Sequence, residues 1–138
     1  MLFRSRFVEP YPYKLDEEAM IAAAPVFQGT RDFRALASAD ESDLRPDKIY
    51  VRTVFESRLE RNGDEMVYTV RGDGFLTHMV RNIVGLLIEV GRRRRRVQDM
   101  ETILAARDRQ AAGPTAAARG LHLLCVEYAD AATEIRLE

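Results

Sequence analysis

Residues 74–90 read GFLTHMVRNIVGLLIEV, the most apolar stretch in a chain of 138 residues. Apolar side chains would cover most of the circumference of a helix here, which predicts a largely buried helix over Gly74 to Val90. Asp73, directly before it, is well placed to cap the helix N-terminus. A narrow stripe of polar or small residues recurs at three- and four-residue spacing along one face: His78, Arg81, Asn82, Gly85 and Glu89.

Arg81 is the residue in this stripe that most needs an explanation. A guanidinium removed from water costs several kcal/mol unless it is paired, so Arg81 should face a carboxylate, a phosphate or a water-filled cleft. A structural salt bridge within the helix or between domains is the alternative interpretation. The spacing alone leaves both open.

The composition, 46% hydrophobic and 31% charged, is typical of one globular domain. The net charge of −1 does not by itself indicate a nucleic-acid partner. The sequence contains neither a membrane-spanning stretch nor a signal peptide, so we expect a cytoplasmic protein that makes no membrane contact.

The remaining pattern predicts an α+β fold, with an antiparallel sheet and helices packed on one face. We expect a domain over residues 15–130, a tail or cut end over 1–14, and a C-terminal tail over 131–138. The elements predicted within the domain are a helix over Leu15 to Phe27, a hairpin of Ile49 to Glu60 and Met66 to Val70 with a turn at Asn62-Gly63, a helix over Val97 to Arg109, and a strand over Leu121 to Tyr128.

Several kinds of site are excluded by residue type and spacing. The single cysteine, Cys125, allows no disulfide within the chain, and His78 and His122 have no partners at metal-ligand spacing. Glycines at 72 and 74 suggest a dinucleotide fingerprint, but its third glycine would fall at Thr77. We therefore expect neither a metal nor a dinucleotide.

Five consecutive arginines follow the apolar helix directly: Arg92, Arg93, Arg94, Arg95 and Arg96. Adjacent like charges repel one another and need either solvent or a polyanion, and at a helix C-terminus they also complement the helix dipole. The block is predicted to be a phosphate-contacting loop, with a plain solvated turn as the alternative.

Two ordered stretches resemble the signature segments of the TruA-type tRNA pseudouridine synthases. The first is Phe75 to Gly85 with Glu89-Val90-Gly91, and the second comprises Ala105 to Arg109, Ala112 to Ala116, Gly120 to Leu123 and Val126-Glu127-Tyr128. Gly29 to Phe33 and Arg52-Thr53-Val54 resemble shorter elements of the same family. The chain departs from the family pattern at Arg31, Leu36, Arg93 and Ala117, where histidine, an aromatic residue, glycine and proline are usual.

The resemblance implies isomerisation of uridine to pseudouridine in the tRNA anticodon stem-loop, without cofactor or metal, by a homodimer. It implies that Arg81 pairs with the catalytic aspartate and that Leu121 packs in the uridine pocket. His78 and Asn82 are expected substrate contacts, and Arg92 to Arg96 are expected RNA contacts.

The family's catalytic aspartate lies in an Arg-Thr-Asp motif, which this chain does not contain. We therefore expect a C-terminal domain or fragment that is inactive alone. A non-catalytic RNA-binding or dimerisation module is the competing class, and a stable domain without RNA affinity is a third.

Overall fold

The computed structural model describes residues 2–6, 14–37, 50–63, 65–113, 121–128 and 131–133. For residues 2–6, 65, 121–128 and 131–133 the backbone alone is described. The elements within these ranges are β1 (Leu2–Arg6), α1 (Glu17–Ala23), β2 (Gly29–Asp32), β3 (Val51–Asn62), β4 (Glu65–Gly72), α2 (Met79–Gly91), α3 (Asp99–Ala106), β5 (Leu121–Tyr128) and β6 (Ala131–Thr133), with 3₁₀ turns at Ala24–Phe27, Arg34–Leu36 and Arg109–Ala112.

The strands form one sheet in the order β2-β3-β4-β1-β5-β6, and neighbouring strands are antiparallel. The prediction of an α+β fold is confirmed. The expected tail over 1–14 is wrong for Leu2–Arg6, because β1 hydrogen-bonds to β4 on one side and β5 on the other. The expected tail over 131–138 is likewise wrong for Ala131–Thr133, which pairs with β5.

The first helix begins at acidic residues, close to the predicted start at Leu15. The Asp16 side chain accepts a hydrogen bond from the Ala19 backbone N–H at 3.3 Å, and Glu17 and Glu18 occupy the first turn. The α-helix is shorter than predicted, because a 3₁₀ turn with Pro25 near its start follows it. Gly29, two residues beyond the predicted helix, is the first residue of β2.

The predicted hairpin is confirmed, with Asn62 paired to Glu65 and Gly63 in the turn at φ +62°. A bulge interrupts β3: Val54 pairs with Gly72 and Glu56 with Arg71, so Phe55 is an extra residue. The alternation of β3 therefore changes face at Phe55. Leu59 is buried in the core, whereas Phe55 is 51% exposed, with the Arg71 guanidinium 5.0 Å from the centre of its ring.

The core lies between the helices and one face of the sheet. Met66, Tyr68 and Val70 alternate along β4, so they point to the same face, where the helices contribute Met20, Met79, Ile83, Leu86, Leu87, Val90, Met100, Ile103 and Leu104. This arrangement confirms the expectation of helices on one face. No helix in the described ranges has the length and apolar character that crossing a membrane requires.

One polar contact in this core holds the sheet against the turn after α1. The buried Ser57 hydroxyl donates to the Ala24 carbonyl and shares a hydrogen bond with the Tyr68 hydroxyl, both at 2.6 Å. Burial raises the pKa of Tyr68 well above its ordinary value, so this phenol stays neutral.

Gly72, the last residue of β4, occupies a position where no side chain fits. A Cβ added there would lie 2.8 Å from the Thr53 carbonyl oxygen and 3.2 Å from the Phe75 ring. We expect Gly72→Ala to lower the free energy of unfolding by about 1–3 kcal/mol, measured by urea denaturation, because the neighbouring atom is backbone. Gly74→Ala is the matched control, since its Cβ would approach no closer than 3.6 Å. Equal stability of the two variants would contradict this packing.

Candidate functional site

The helix that carries Arg81 begins later than the sequence predicts. Asp73 does not cap it, because the Asp73 carboxylate accepts from the Thr53 N–H at 2.9 Å and the Asp73 N–H donates to the Thr53 carbonyl at 3.0 Å. Asp73 therefore extends the hairpin. The residue at the N-cap of α2 is His78, which adopts a left-handed conformation with φ 59° and ψ 11°.

The polar stripe of α2 is mostly buried, so it does not line a cleft as a whole. Asn82 is 1% exposed and Glu89 8%, and Gly85 is also buried. His78 is exposed and Arg81 is half-buried. The surface-accessible part of the stripe is therefore the first turn of the helix.

Asn82 uses both ends of its amide inside the protein. Its Nδ2 donates to the Leu36 carbonyl at 2.5 Å, and its Oδ1 accepts from Arg109 Nη2 at 2.9 Å. Since a buried amide costs free energy unless it is hydrogen-bonded, these partners account for a polar residue at this depth. The predicted role of Asn82 as a substrate contact stays a prediction.

Arg109 is the residue of this site that the sequence analysis gave no role. Its Nη1 donates to the Gly113 carbonyl at 2.7 Å while Nη2 holds Asn82. Partial burial lowers the pKa of Arg109, which remains a cation at neutral pH. Its membership of the second signature stretch, together with a buried asparagine in the first, was the signal that could have indicated this contact.

Arg81 lies one residue before Asn82, on the first turn of α2. Its side chain is half-buried and already takes part in an interaction within the chain. At partial burial the attraction between a guanidinium and an anion is screened less than on an open surface. Arg81 can therefore hold an anionic group that approaches this turn.

The five arginines do not form one uniformly positive surface. Three of them lie near carboxylates: Arg93 is 3.9 Å from Asp16, Arg94 is 3.8 Å from Glu89, and Arg96 is 3.6 Å from Asp99. These nearby carboxylates offset part of the positive charge, although exposed pairs of this kind are individually weak. The predicted phosphate contacts of Arg92 to Arg96 stay predictions.

The structure explains why glycine is common in the family at the position of Arg93. Arg93 adopts φ +62° directly after α2, and its N–H donates to the Val90 carbonyl at 3.0 Å. A left-handed residue in this place ends many helices and is most often glycine. The arginine keeps this conformation at a cost of about 1 kcal/mol relative to glycine.

Two other departures from the family pattern make contacts of their own. Arg31 Nη1 binds the Glu101 carboxylate at 2.7 Å, which ties β2 to α3. Leu36 is fully buried, and its carbonyl is the acceptor for Asn82. Ala117 lies outside the described residues.

The remaining predicted site residue, Leu121, is the first residue of β5 and pairs with Ser5 of β1. Its side chain lies outside the described part of the protein, so its place in a uridine pocket stays a prediction. Among the residues that are described, no group of three or more histidine, cysteine, aspartate or glutamate side chains could hold a metal ion.

Comparison with known proteins identifies a class of RNA-modifying enzyme. A family model described as tRNA pseudouridine synthase matches residues 23–129, which include the whole of α2 and the Asn82–Arg109 contact. The chain therefore belongs to the tRNA pseudouridine synthase family.

Three relatives named tRNA pseudouridine synthase A show how much of the family's length is present. The chain is 44% identical to the protein of Solibacter usitatus over 91% of its own length and 49% of the relative. For Halalkalibacterium halodurans the values are 44%, 87% and 44%, and for Moorella thermoacetica they are 46%, 83% and 45%. The chain spans about half the length of the relatives it matches.

Proposed function

We propose that this chain supplies the arginine-bearing half of a TruA-type tRNA pseudouridine synthase, which isomerises uridine to pseudouridine in the tRNA anticodon stem-loop. The observation that carries the proposal is Arg81, a half-buried cation on the first turn of the helix that matches the family's first signature stretch. The chain has no Arg-Thr-Asp motif, so the catalytic aspartate comes from a segment that it does not contain.

The proposed isomerisation requires a fixed cation beside a carboxylate. The bond between C1′ and N1 of uridine breaks and a bond between C1′ and C5 forms, with a proton lost from C5 and one gained at N1. An aspartate that begins this exchange must be ionised, and a nearby guanidinium favours the ionised form. The uridine must also leave its stack to reach the site. Arg81 is therefore an orienting and charge-stabilising group, not a nucleophile.

The rest of the chain contributes RNA contacts and the pocket wall. Arg92 to Arg96 are placed at the C-terminal end of α2, where they extend from the same helix that carries Arg81. Leu121 and His78 complete the proposed substrate-binding set. Asn82, whose amide hydrogen-bonds to Leu36 and Arg109, is proposed to support this set from within the protein. By family resemblance the whole enzyme is a cytoplasmic homodimer whose partner is tRNA and which uses no cofactor or metal.

The test is reconstitution with the complementary half, defined as the part of the Moorella thermoacetica relative outside its match to this chain. We expect pseudouridine in an anticodon stem-loop RNA when both polypeptides are present, and none with this chain alone. Tritium release from C5-labelled uridine measures the turnover. Salt-dependent RNA binding without turnover, even with the complementary half, would favour a non-catalytic binding module instead.

A further inference from the structure

Asn82 and Arg109 physically join the two stretches that define the family resemblance. Asn82 lies in α2, and Arg109 lies in the 3₁₀ turn that follows α3. Asn82 also donates to the Leu36 carbonyl, in the turn at Arg34–Leu36. Arg109 also donates to the Gly113 carbonyl, at the end of its own 3₁₀ turn. Two segments far apart in sequence are therefore held to one turn of α2.

The first turn of α2 has no side-chain cap from its N-cap residue. It begins at His78 in a left-handed conformation, the His78 side chain makes no capping hydrogen bond, and the Met79 N–H donates to the Leu76 carbonyl at 3.0 Å. The Asn82 N–H makes the first regular helical bond, to the His78 carbonyl at 2.9 Å. The Asn82 side chain thus anchors the turn where its backbone becomes helical.

We propose that Asn82 and Arg109 are positioning residues that hold Arg81 in the orientation in which it meets the catalytic carboxylate. This inference rests on the proposed function of Arg81. Because Arg81 and Asn82 are consecutive on one helical turn, fixing the buried side chain sets the direction in which its neighbour leaves the helix. The Nδ2 and Oδ1 atoms of Asn82 are both hydrogen-bonded within the protein, so Asn82 affects the reaction through the position of Arg81.

The first test measures single-turnover rate and RNA affinity in the reconstituted enzyme. We expect Asn82→Ala and Arg109→Met each to lower the rate about tenfold to a hundredfold, as misplacement of a reacting group does, with little change in Kd. Arg109→Lys, which keeps the charge and one donor direction, should restore part of the rate. The double variant should lose less than the product of the two single losses, because the hydrogen bond between Asn82 and Arg109 is already lost in each single variant.

The matched control is Ser57→Ala, which removes two buried hydrogen bonds made from β3 rather than from α2. All variants are assayed well below their melting temperatures. A rate loss in Asn82→Ala and Arg109→Met no larger than in Ser57→Ala overturns the proposal, since a merely structural role would affect them alike.

The second test needs no turnover and uses this chain alone. The Arg81 Nε–H resonance of the ¹⁵N-labelled protein, identified by its loss in Arg81→Lys, should shift and exchange faster with solvent in Asn82→Ala but not in Ser57→Ala. An unchanged resonance overturns the proposal. If the reconstituted wild-type enzyme shows no turnover, the proposed function fails, and this resonance still decides whether the pair positions Arg81.

Discussion

Arg81→Ala is expected to lower the turnover of the reconstituted enzyme by about a hundredfold to a thousandfold, the usual loss when a preorganised electrostatic contact is removed from an active site. The half-buried position of Arg81 supports a large effect, because partial exclusion of water strengthens its attraction to a carboxylate. Affinity for the RNA should change little, since the proposed phosphate contacts are Arg92 to Arg96. Single-turnover rates at saturating RNA, with Kd measured separately, check this.

Arg81→Lys is the matched comparison for the same position. Lysine keeps the positive charge but lacks the planar fork that binds a carboxylate with two hydrogen bonds, so its rate should lie between those of wild type and Arg81→Ala. A rate for Arg81→Ala within twofold of wild type would contradict a catalytic role. Equal losses in rate and RNA affinity would indicate a binding residue instead.

Replacing Arg92 to Arg96 together by glutamine is expected to weaken tRNA binding about tenfold to a hundredfold at low salt and to reduce its salt dependence. Each phosphate contact contributes roughly 0.9 to the slope of log K against log salt, so five contacts would account for about 4.5. We expect a reduction of only about 2, because Arg93, Arg94 and Arg96 already lie within 4.0 Å of carboxylates.

Two further variants separate local contacts from net charge. Glutamine at Arg93, Arg94 and Arg96 alone should reduce the slope by less than about 1. Arg58→Gln combined with Arg61→Gln removes two exposed charges from β3 and should leave the slope nearly unchanged. A reduction near 4.5 for the five-residue variant would mean that the carboxylates do not hold their arginines, and no reduction would exclude the block from the RNA interface.

The parts of the fold that could be predicted are those whose pattern repeats over many residues. The hairpin, α2 and β5 each have a continuous apolar or alternating pattern, and a clear turn or cap signal marks the hairpin and α1. Leu2–Arg6 has only five residues, too few for periodicity to be visible, and its place at the centre of the sheet depends on hydrogen bonds to strands distant in sequence. The bulge at Phe55 is likewise invisible in the sequence, because it depends on how β3 meets Gly72.

In the site, too, local sequence spacing predicted which residues are polar, whereas contacts from distant segments decided which of them are buried. Helical spacing predicted one polar face for His78, Arg81 and Asn82, but His78 is the left-handed N-cap residue of α2. The spacing also could not show which of the three the neighbouring segments bury. Asn82 is buried because Leu36 and Arg109 approach it from 46 and 27 residues away. Asp73 fails as a helix cap for a similar reason, since its carboxylate is already bound to the Thr53 N–H across the hairpin.

Pairing between Arg81 and a carboxylate from outside this chain is tested most directly by the pH dependence of turnover in the reconstituted enzyme. A neighbouring guanidinium lowers the pKa of a carboxyl, so the ionised form persists to lower pH while Arg81 is present. In Arg81→Gln the residual activity should be lost at higher pH than in wild type, because the acidic limb follows the raised carboxyl pKa. An acidic limb at the same pH in both enzymes would contradict the pairing.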